Sequence, residues 1–169
     1  MDKIWKRKFE NKEVKFPSDI ATEYCNELYS LTNKLVIAKV EKYEKNIDEL
    51  NTISPIANFA SATSFFKSKK AEEYLGEVSE CGKFTYELYL TGTNTPKYKY
   101  RFCFVENGVY PYPAEIILDT DIADELECGT RIVCENEEVY KITLIKILNS
   151  KKITEVVEGL MTINAKMNE

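Results

Sequence analysis

The sequence predicts a single α+β domain, in which helical segments flank an antiparallel β-meander. Apolar residues recur at helical spacing in the first and last thirds of the 169-residue chain, whereas they alternate with polar residues in the middle third. Apolar residues make up 44% and charged residues 30% of the chain, which is ordinary for a globular domain. The predicted order is a long N-terminal helix, a second helix, a meander of three to four strands, and two C-terminal amphipathic helices packed on one face of the sheet.

The first predicted element is a long helix over residues 18–46, which follows a basic arm over residues 1–16. Ser18 and Asp19 are residue types that start helices, and apolar residues then recur every three or four positions. At ~1.5 Å per residue this helix would be about 40 Å long. A helix of that length would protrude from a small domain, which suggests a homodimer paired through it.

A second helix is predicted between residues 54 and 75. Ser54 and Pro55 form a start signal, with serine as the cap and proline in the first helical position. Gly76 suits the left-handed position that ends many helices. Residues 18–75 are therefore predicted to be the helical part of the domain.

Residues 77–118 are predicted to form the β-meander. Asn107-Gly108 predicts a tight hairpin turn, because both residue types tolerate positive φ. Pro111 and Pro113 cannot donate to a sheet ladder, so the start of the last strand is expected at an edge or a bulge. The strands are expected over 83–91, 97–106 and 109–118, with 77–81 as a fourth.

Residues 119–169 are predicted to contain an acidic turn and the C-terminal helices. A short helix over 121–126, with Thr120 as its cap, precedes a brief strand over 131–134. Asn136 is predicted to cap a helix over 137–148, and Ser150 the helix after it. The core-facing residues are predicted to be Val139, Ile142, Ile145 and Leu148 in the first of these helices, and Ile153, Val156, Val157, Leu160 and Met161 in the second.

The composition removes several kinds of chemistry. Histidine is absent, which excludes histidine bases, Ser-His and Cys-His nucleophile pairs, and histidine-containing zinc sites. The five cysteines have no Cys-x-x-Cys spacing, and Cys128 and Cys134 lie among carboxylates that disfavour thiolates. We therefore predict a non-enzymatic protein with inert, reduced thiols and without a metal or cofactor.

The chain is expected to be cytoplasmic. Its basic start is not followed by an apolar stretch, as a secretory signal would be, and no apolar run is long enough to cross a membrane. Abundant Lys, Asn and Ile with scarce Ala and Gly suggest a bacterial or phage source.

Negative charge is concentrated in residues 106–138. Ten acids against one arginine give a net charge of 1 − 10 = −9 there, whereas the whole chain carries −5. Such polarisation steers a basic partner toward the acidic region. We therefore predict a protein-binding module, of the immunity-protein, antitoxin or phage-encoded inhibitor type, that docks a basic surface. The candidate contact residues are Glu115, Asp119, Asp121, Asp124, Glu125 and Glu127.

One alternative is a nucleic-acid-associated protein. The strand that starts near residue 97 alternates basic with aromatic residues, and binders of single strands combine these two types. Alternate residues of a strand point to opposite faces, which instead favours aromatic residues in the core and basic ones in water. The candidate residues are Lys97, Lys99 and Arg101, with Lys6, Arg7 and Lys8 of the arm.

A second alternative is a Mg²⁺-dependent enzyme with carboxylates at 119–125. Acids that follow a strand can hold Mg²⁺ for phosphoryl chemistry. The same acids also suit the first turn of a helix, and the lysine that many nucleases place near such acids is missing.

Overall fold

The computed structural model describes residues 7–45 and 82–168, together with Ile4 and Ile47. This part of the chain contains four helices and five strands, which confirms the α+β class. The helix predicted within 54–75 and the strand predicted over 77–81 lie outside the described residues. The elements are α1 (Pro17–Leu31), β1 (Val36–Lys42), β2 (Phe84–Gly92), β3 (Tyr100–Asn107), β4 (Ala114–Leu118), α2 (Thr120–Glu125), β5 (Arg131–Cys134), α3 (Glu137–Leu148) and α4 (Lys151–Lys166).

The five strands form one antiparallel sheet, in which each strand pairs with the next one along the chain. The register places Glu106 opposite Glu115 and Glu115 opposite Val133, so these three side chains lie in a row across β3, β4 and β5. The sheet is larger than the predicted meander because β1 adds a strand at one edge and β5 forms the other.

The long helix predicted over 18–46 is wrong, since α1 ends at Leu31 and β1 begins at Val36. Asn33 and Lys34 take left-handed backbone angles, with φ of 50° and 66°, and the Thr32 hydroxyl donates to the Leu28 carbonyl at 2.8 Å. β-Branched residues in the following run favour a strand. At ~1.5 Å per residue, α1 is only about 22 Å long, which removes the reason for a homodimer paired through a protruding helix.

The ends of the helices are set by side chains and by proline. Asn136 and Ser150 cap α3 and α4 as predicted. The predicted cap Ser18 is wrong by two residues, because α1 starts after Phe16, whose backbone N–H donates to the Asp19 carboxylate at 2.9 Å. The predicted cap Thr120 is wrong by one residue, because Asp119 caps α2. The four N-cap residues are Phe16, Asp119, Asn136 and Ser150.

One hydrophobic core joins the helices to one face of the sheet. A bulge in the pairing of β2 with β3, after Leu88, brings the consecutive residues Phe102 and Cys103 into this core. The helical part of the core consists of Ile20, Ala21, Cys25, Ile122, Ala123, Tyr140, Leu144, Ile147, Ile153 and Leu160.

Helix α3 presents a different face to the core from the one predicted. Its buried residues are Tyr140, Leu144 and Ile147, whereas three of the four residues predicted to face inward are exposed; only Leu148 packs against the core. The reason is that α3 is apolar nearly all round, so two faces satisfied the helical pattern. The exposed residues are Val139 (40%), Ile142 (50%) and Ile145 (48%).

The tight turn predicted at Asn107-Gly108 is a longer loop in the structure. Strand β3 ends at Asn107 and β4 begins at Ala114, so residues 108–113 form the hairpin loop and hold both Pro111 and Pro113. Without a proline, β4 can donate to neighbours on both sides, and it lies between β3 and β5 rather than at an edge.

Candidate functional site

The fold divides the acidic segment of residues 106–138 into two groups at opposite ends of β4. Glu106 and Glu115 lie at the end where Ala114 pairs with Cys134 of β5. The acids of α2 follow the other end, after Leu118. Of the six predicted contact residues, Glu115 belongs to the first group and the other five belong to the second.

The acids at α2 hold α2 against the start of α4. The Glu125 carboxylate accepts the backbone N–H groups of Lys151 at 2.6 Å and Lys152 at 3.1 Å, which is a favourable position for an acid at a helix N-terminus. Asp121 pairs with the Lys152 ammonium at 2.6 Å, and this bond raises the pKa of Lys152. Asp119 caps α2 by accepting the Asp121 N–H at 3.0 Å.

Two further predicted contact residues, Asp124 and Glu127, are exposed near the end of α2. Asp124 uses its backbone carbonyl to accept the N–H of Glu127, which has a left-handed φ of 52°. The carboxylates of Asp119, Asp121 and Glu125 thus serve local structure, whereas those of Asp124 and Glu127 are exposed.

The carboxylates at 119–125 are not brought together as metal ligands. Within residues 7–45 and 82–168, no group of three or more Cys, Asp or Glu side chains is arranged to hold a metal ion. The Mg²⁺-enzyme alternative therefore gains no support from the part of the chain that the structure describes.

The acids at the hairpin end border a shallow cleft of about 240 Å³. Its walls include Glu106, Asn107, Glu115, Pro113 and Val133. Lys83 lies 3.5 Å from the Glu106 carboxylate, and Arg131 lies 3.3 Å from that of Glu115. Val109 and Tyr110 of the same hairpin loop are exposed.

The hairpin loop lies against the first turn of α3. The ring centroids of Tyr112 and Tyr140 lie 6.1 Å apart, and burial followed by the charge of Glu137 raises the pKa of Tyr112 to about 12. Glu135 and Glu138 are exposed beside the outward residues of α3. We call the combined region the hairpin–α3 surface; it comprises Val109, Tyr110, Glu135, Glu138, Val139, Ile142 and Ile145.

The basic residues of β3 and of the loop before it are mostly engaged inside the molecule. Lys99 and Arg101 both bind the Glu87 carboxylate, whose side chain is only 7% exposed. Lys99 also lies 4.0 Å from the Tyr89 ring centroid, and Arg101 lies 4.9 Å from that of Phe104. The prediction that these two basic side chains point freely into water is wrong, because Glu87 pairs with both.

The remaining basic candidates are exposed. Lys97 lies in the loop before β3, and Arg7 and Lys8 lie in the arm that precedes α1. Lys6 lies outside the described residues. The aromatic residues of this segment lie in different environments. Phe102 packs in the core, Phe104 contacts Arg101 on the other face of the sheet, and Tyr98 is about half exposed.

The described cysteines are free thiols. Burial raises the pKa of Cys25 to about 12 and also raises the pKa values of Cys103 and Cys134. Cys128 and Cys134 form no disulfide. The raised pKa values of Cys25, Cys103 and Cys134 keep these three thiols in the inert, protonated form at neutral pH. Cys81 lies outside the described residues.

The sequence pattern did not identify the residues that distinguish the hairpin–α3 surface. Helical spacing placed Val139, Ile142 and Ile145 in the core, and no motif singled out Tyr110. One feature of the sequence did indicate a second apolar face. Seven of the 12 residues of α3 are apolar and lie all round the helix, which is more than a single buried stripe contains.

Comparisons with models of protein families, with curated proteins and with solved structures give no match to this chain. Among the described residues, no helix has the length and apolar character needed to cross a membrane.

Proposed function

We propose that this chain is a non-enzymatic protein-binding module, whose hairpin–α3 surface docks onto a basic surface of another protein. One observation carries the proposal. The outward face of α3 is an apolar stripe of Val139, Ile142 and Ile145, and it lies at the end of the most acidic segment of the chain.

The apolar stripe provides a favourable binding free energy when a partner covers it. Its three aliphatic residues recur every three positions and are each 40–50% exposed. Completing the burial of such side chains stabilises a complex by up to about 1.5 kcal/mol each, since full burial is worth about 1.5–3 kcal/mol. Interfaces commonly have an apolar centre and a polar rim, and the exposed tyrosine of the hairpin, Tyr110, is a residue type that often dominates binding energy.

The acids around the stripe select the partner. Glu135 and Glu138 are exposed at the N-terminal end of the stripe. A symmetric contact with a second copy would place these like charges against each other. A partner with lysine or arginine around an apolar centre would instead be complementary.

This chemistry fits an inhibitor, an antitoxin or an immunity-type protein, including one encoded by a phage. Such proteins act by covering a functional surface of another protein, so they need a complementary face and no catalytic group. The nucleic-acid alternative has less support, since Glu87 holds two of its three strand candidates, Lys99 and Arg101.

The test is an NMR titration of the ¹⁵N-labelled chain with a synthetic amphipathic helical peptide of leucine and lysine. We expect saturable shifts of backbone amides in α3 and the hairpin loop, at Glu138, Ile142 and Tyr110. A matched peptide with glutamate in place of lysine is expected to cause none. Shifts confined to α2 or to the arm before α1, or equal shifts with both peptides, would refute the proposal.

A further inference from the structure

We infer that the N-terminal arm, residues 1–16, folds back onto the hairpin–α3 surface of its own chain and competes there with the partner. This inference rests on the proposed function, because it concerns the regulation of the same surface. In the structure, residues 7–16 lie outside the helices and strands and the apolar stripe of α3 is exposed, which corresponds to an open form. In the closed form the arm covers the stripe, so a partner binds only the open fraction of the molecules.

The arm is attached to the fold beside α3. The Tyr140 hydroxyl donates to the carbonyl of Pro17, the first residue of α1, at 2.9 Å. Tyr140 is fully buried and directly follows Val139, the first residue of the stripe. Because Tyr140 lies on the buried side of α3 and the stripe on its outward side, the attachment point lies one helix diameter, about 12 Å, from the stripe.

The arm is long enough to cover this distance. An extended chain spans at least about 3.3 Å per residue, so Phe9, which precedes Pro17 by eight positions, can lie up to about 26 Å from it. The stripe from Val139 to Ile145 extends only about 9 Å along α3. A short flexible tether gives the arm a local concentration in the millimolar range. A contact of submillimolar affinity is therefore closed in most molecules, and a second copy at lower concentration competes poorly with it.

The arm carries positive charge. Residues 1–16 contain six bases and three acids, which gives 6 − 3 = +3. Lys15 is paired with Glu23 of α1 at 2.7 Å. Three further bases are exposed and make no ion pair with residues that the structure describes: Arg7, Lys8 and Lys12.

The outward side of α3 and the turn before it carry negative charge. Glu135 and Glu138 are exposed at the N-terminal end of the stripe, and Lys146 is exposed near its C-terminal end. Lys141 and Glu137 pair with each other. These three acids and two bases give 2 − 3 = −1, so the charges favour a basic segment such as the arm over an acidic one.

The arm also carries exposed apolar side chains. Phe9 is 76% exposed and Val14 is 46% exposed. Packing of these side chains on the stripe removes apolar surface of both segments from water. Phe9 directly follows Arg7 and Lys8, so the arm combines apolar with basic residues, as proposed for the partner.

The experiment compares two charge-reversed forms of the full chain by NMR, first without any peptide. Lys8→Glu with Lys12→Glu reverses two charges of the arm, whereas the control, Lys34→Glu with Lys166→Glu, reverses two exposed charges outside it. We expect the arm variant to shift the backbone amides of Ile142 and Ile145 relative to the unmodified chain, because the arm leaves the stripe. The control variant is expected to leave these amides unchanged.

The affinity for the leucine–lysine peptide provides a second measurement. Both variants carry the same net charge, so the general attraction of the peptide to the chain is matched. The arm variant is expected to bind the peptide at least about threefold more tightly than the control variant, because the stripe is open in a larger fraction of its molecules.

Three outcomes would overturn the inference. The first is unchanged Ile142 and Ile145 amides in the arm variant, and the second is equal peptide affinity of the two variants. The third is a difference between the spectra that disappears on dilution, which would assign the contact to the arm of a second copy.

The same measurements separate this inference from the proposed function. If the peptide binds α3 with the same affinity in both variants, only the inference about the arm fails. If the arm variant shifts the α3 amides while the peptide leaves α3 unaffected in every form of the chain, the proposed function fails and the contact of the arm stands.

Discussion

At the residue scale, Asn164 shows how one polar side chain can organise a loop. It ends the helical apolar series of α4 and is fully buried. Its Oδ1 accepts the backbone N–H of Asn94 at 2.7 Å, and its Nδ2 donates to the Leu160 carbonyl at 2.7 Å. A Cβ at Gly92 would lie 2.0 Å from Nδ2, so glycine there allows the loop after β2 to approach α4.

Asn164→Leu is therefore expected to lower the free energy of unfolding by about 1–3 kcal/mol, because the Asn94 N–H loses its buried acceptor. Urea denaturation measures the change. Asn168→Ala is the control, since Asn168 is exposed and accepts only the Asn94 side chain; it should change stability by less than about 0.5 kcal/mol. Equal losses in both variants would show that burial of Asn164 adds nothing.

A second residue-scale prediction concerns pH. Burial raises the pKa of Cys25 from 9.0 to about 12, so the thiolate forms more readily in the unfolded chain than in the folded one. Stability from this group is fully present below pH 9 and is lost as the pH rises toward 12. We expect the free energy of unfolding to fall over this range, and to fall less steeply in Cys25→Ala. The same pH dependence of the unfolding free energy in both proteins would contradict a raised pKa for Cys25.

At the element scale, α3 illustrates a limit of periodic patterns. The pattern located this helix and its Asn136 cap correctly, because both depend on neighbouring residues. It did not identify the buried face, because apolar residues lie on both sides. The buried face is fixed by distant contacts, such as the hydrogen bond from the Tyr140 hydroxyl to the Pro17 carbonyl at 2.9 Å.

Truncation to alanine is expected to cost much more stability on the buried face of α3 than on its exposed face. Leu144→Ala removes a fully buried side chain and is expected to cost about 2–5 kcal/mol of unfolding free energy. Ile142→Ala removes a side chain that is 50% exposed and should cost less than about 1 kcal/mol. Chemical denaturation measures the free energy of unfolding of both variants. A larger decrease for Ile142→Ala than for Leu144→Ala would show that the face predicted from the sequence is the buried one.

Strand β1 shows a second limit at this scale. Its apolar residues fit the end of a helix as well as a strand, and its pairing partner, β2, begins 42 residues after the last residue of β1. Local spacing carries no information about such a distant partner. The strands of the meander itself were predictable because their alternation is long and their neighbours follow directly in the chain.

At the scale of the whole molecule, the net charge of the acidic segment could be predicted from the sequence, but the positions of its acids in the fold could not. The excess of acids in residues 106–138 is a property of composition, and it was predictable. The division of these acids by β4, with Glu125 and Asp121 used to hold α4, depends on tertiary contacts. The same contacts leave the hairpin end as the place where acids and exposed apolar residues coincide.

The measurement that tests this account most directly is calorimetric titration of the leucine–lysine peptide into three forms of the chain. We predict that Ile142→Ser with Ile145→Ser weakens binding by at least about tenfold, while Asp124→Asn, which removes an exposed acid of α2, leaves the affinity unchanged. Raised salt should weaken binding to the unmodified chain. Loss of binding in Asp124→Asn with full retention in the double serine variant would contradict the hairpin–α3 surface as the docking site.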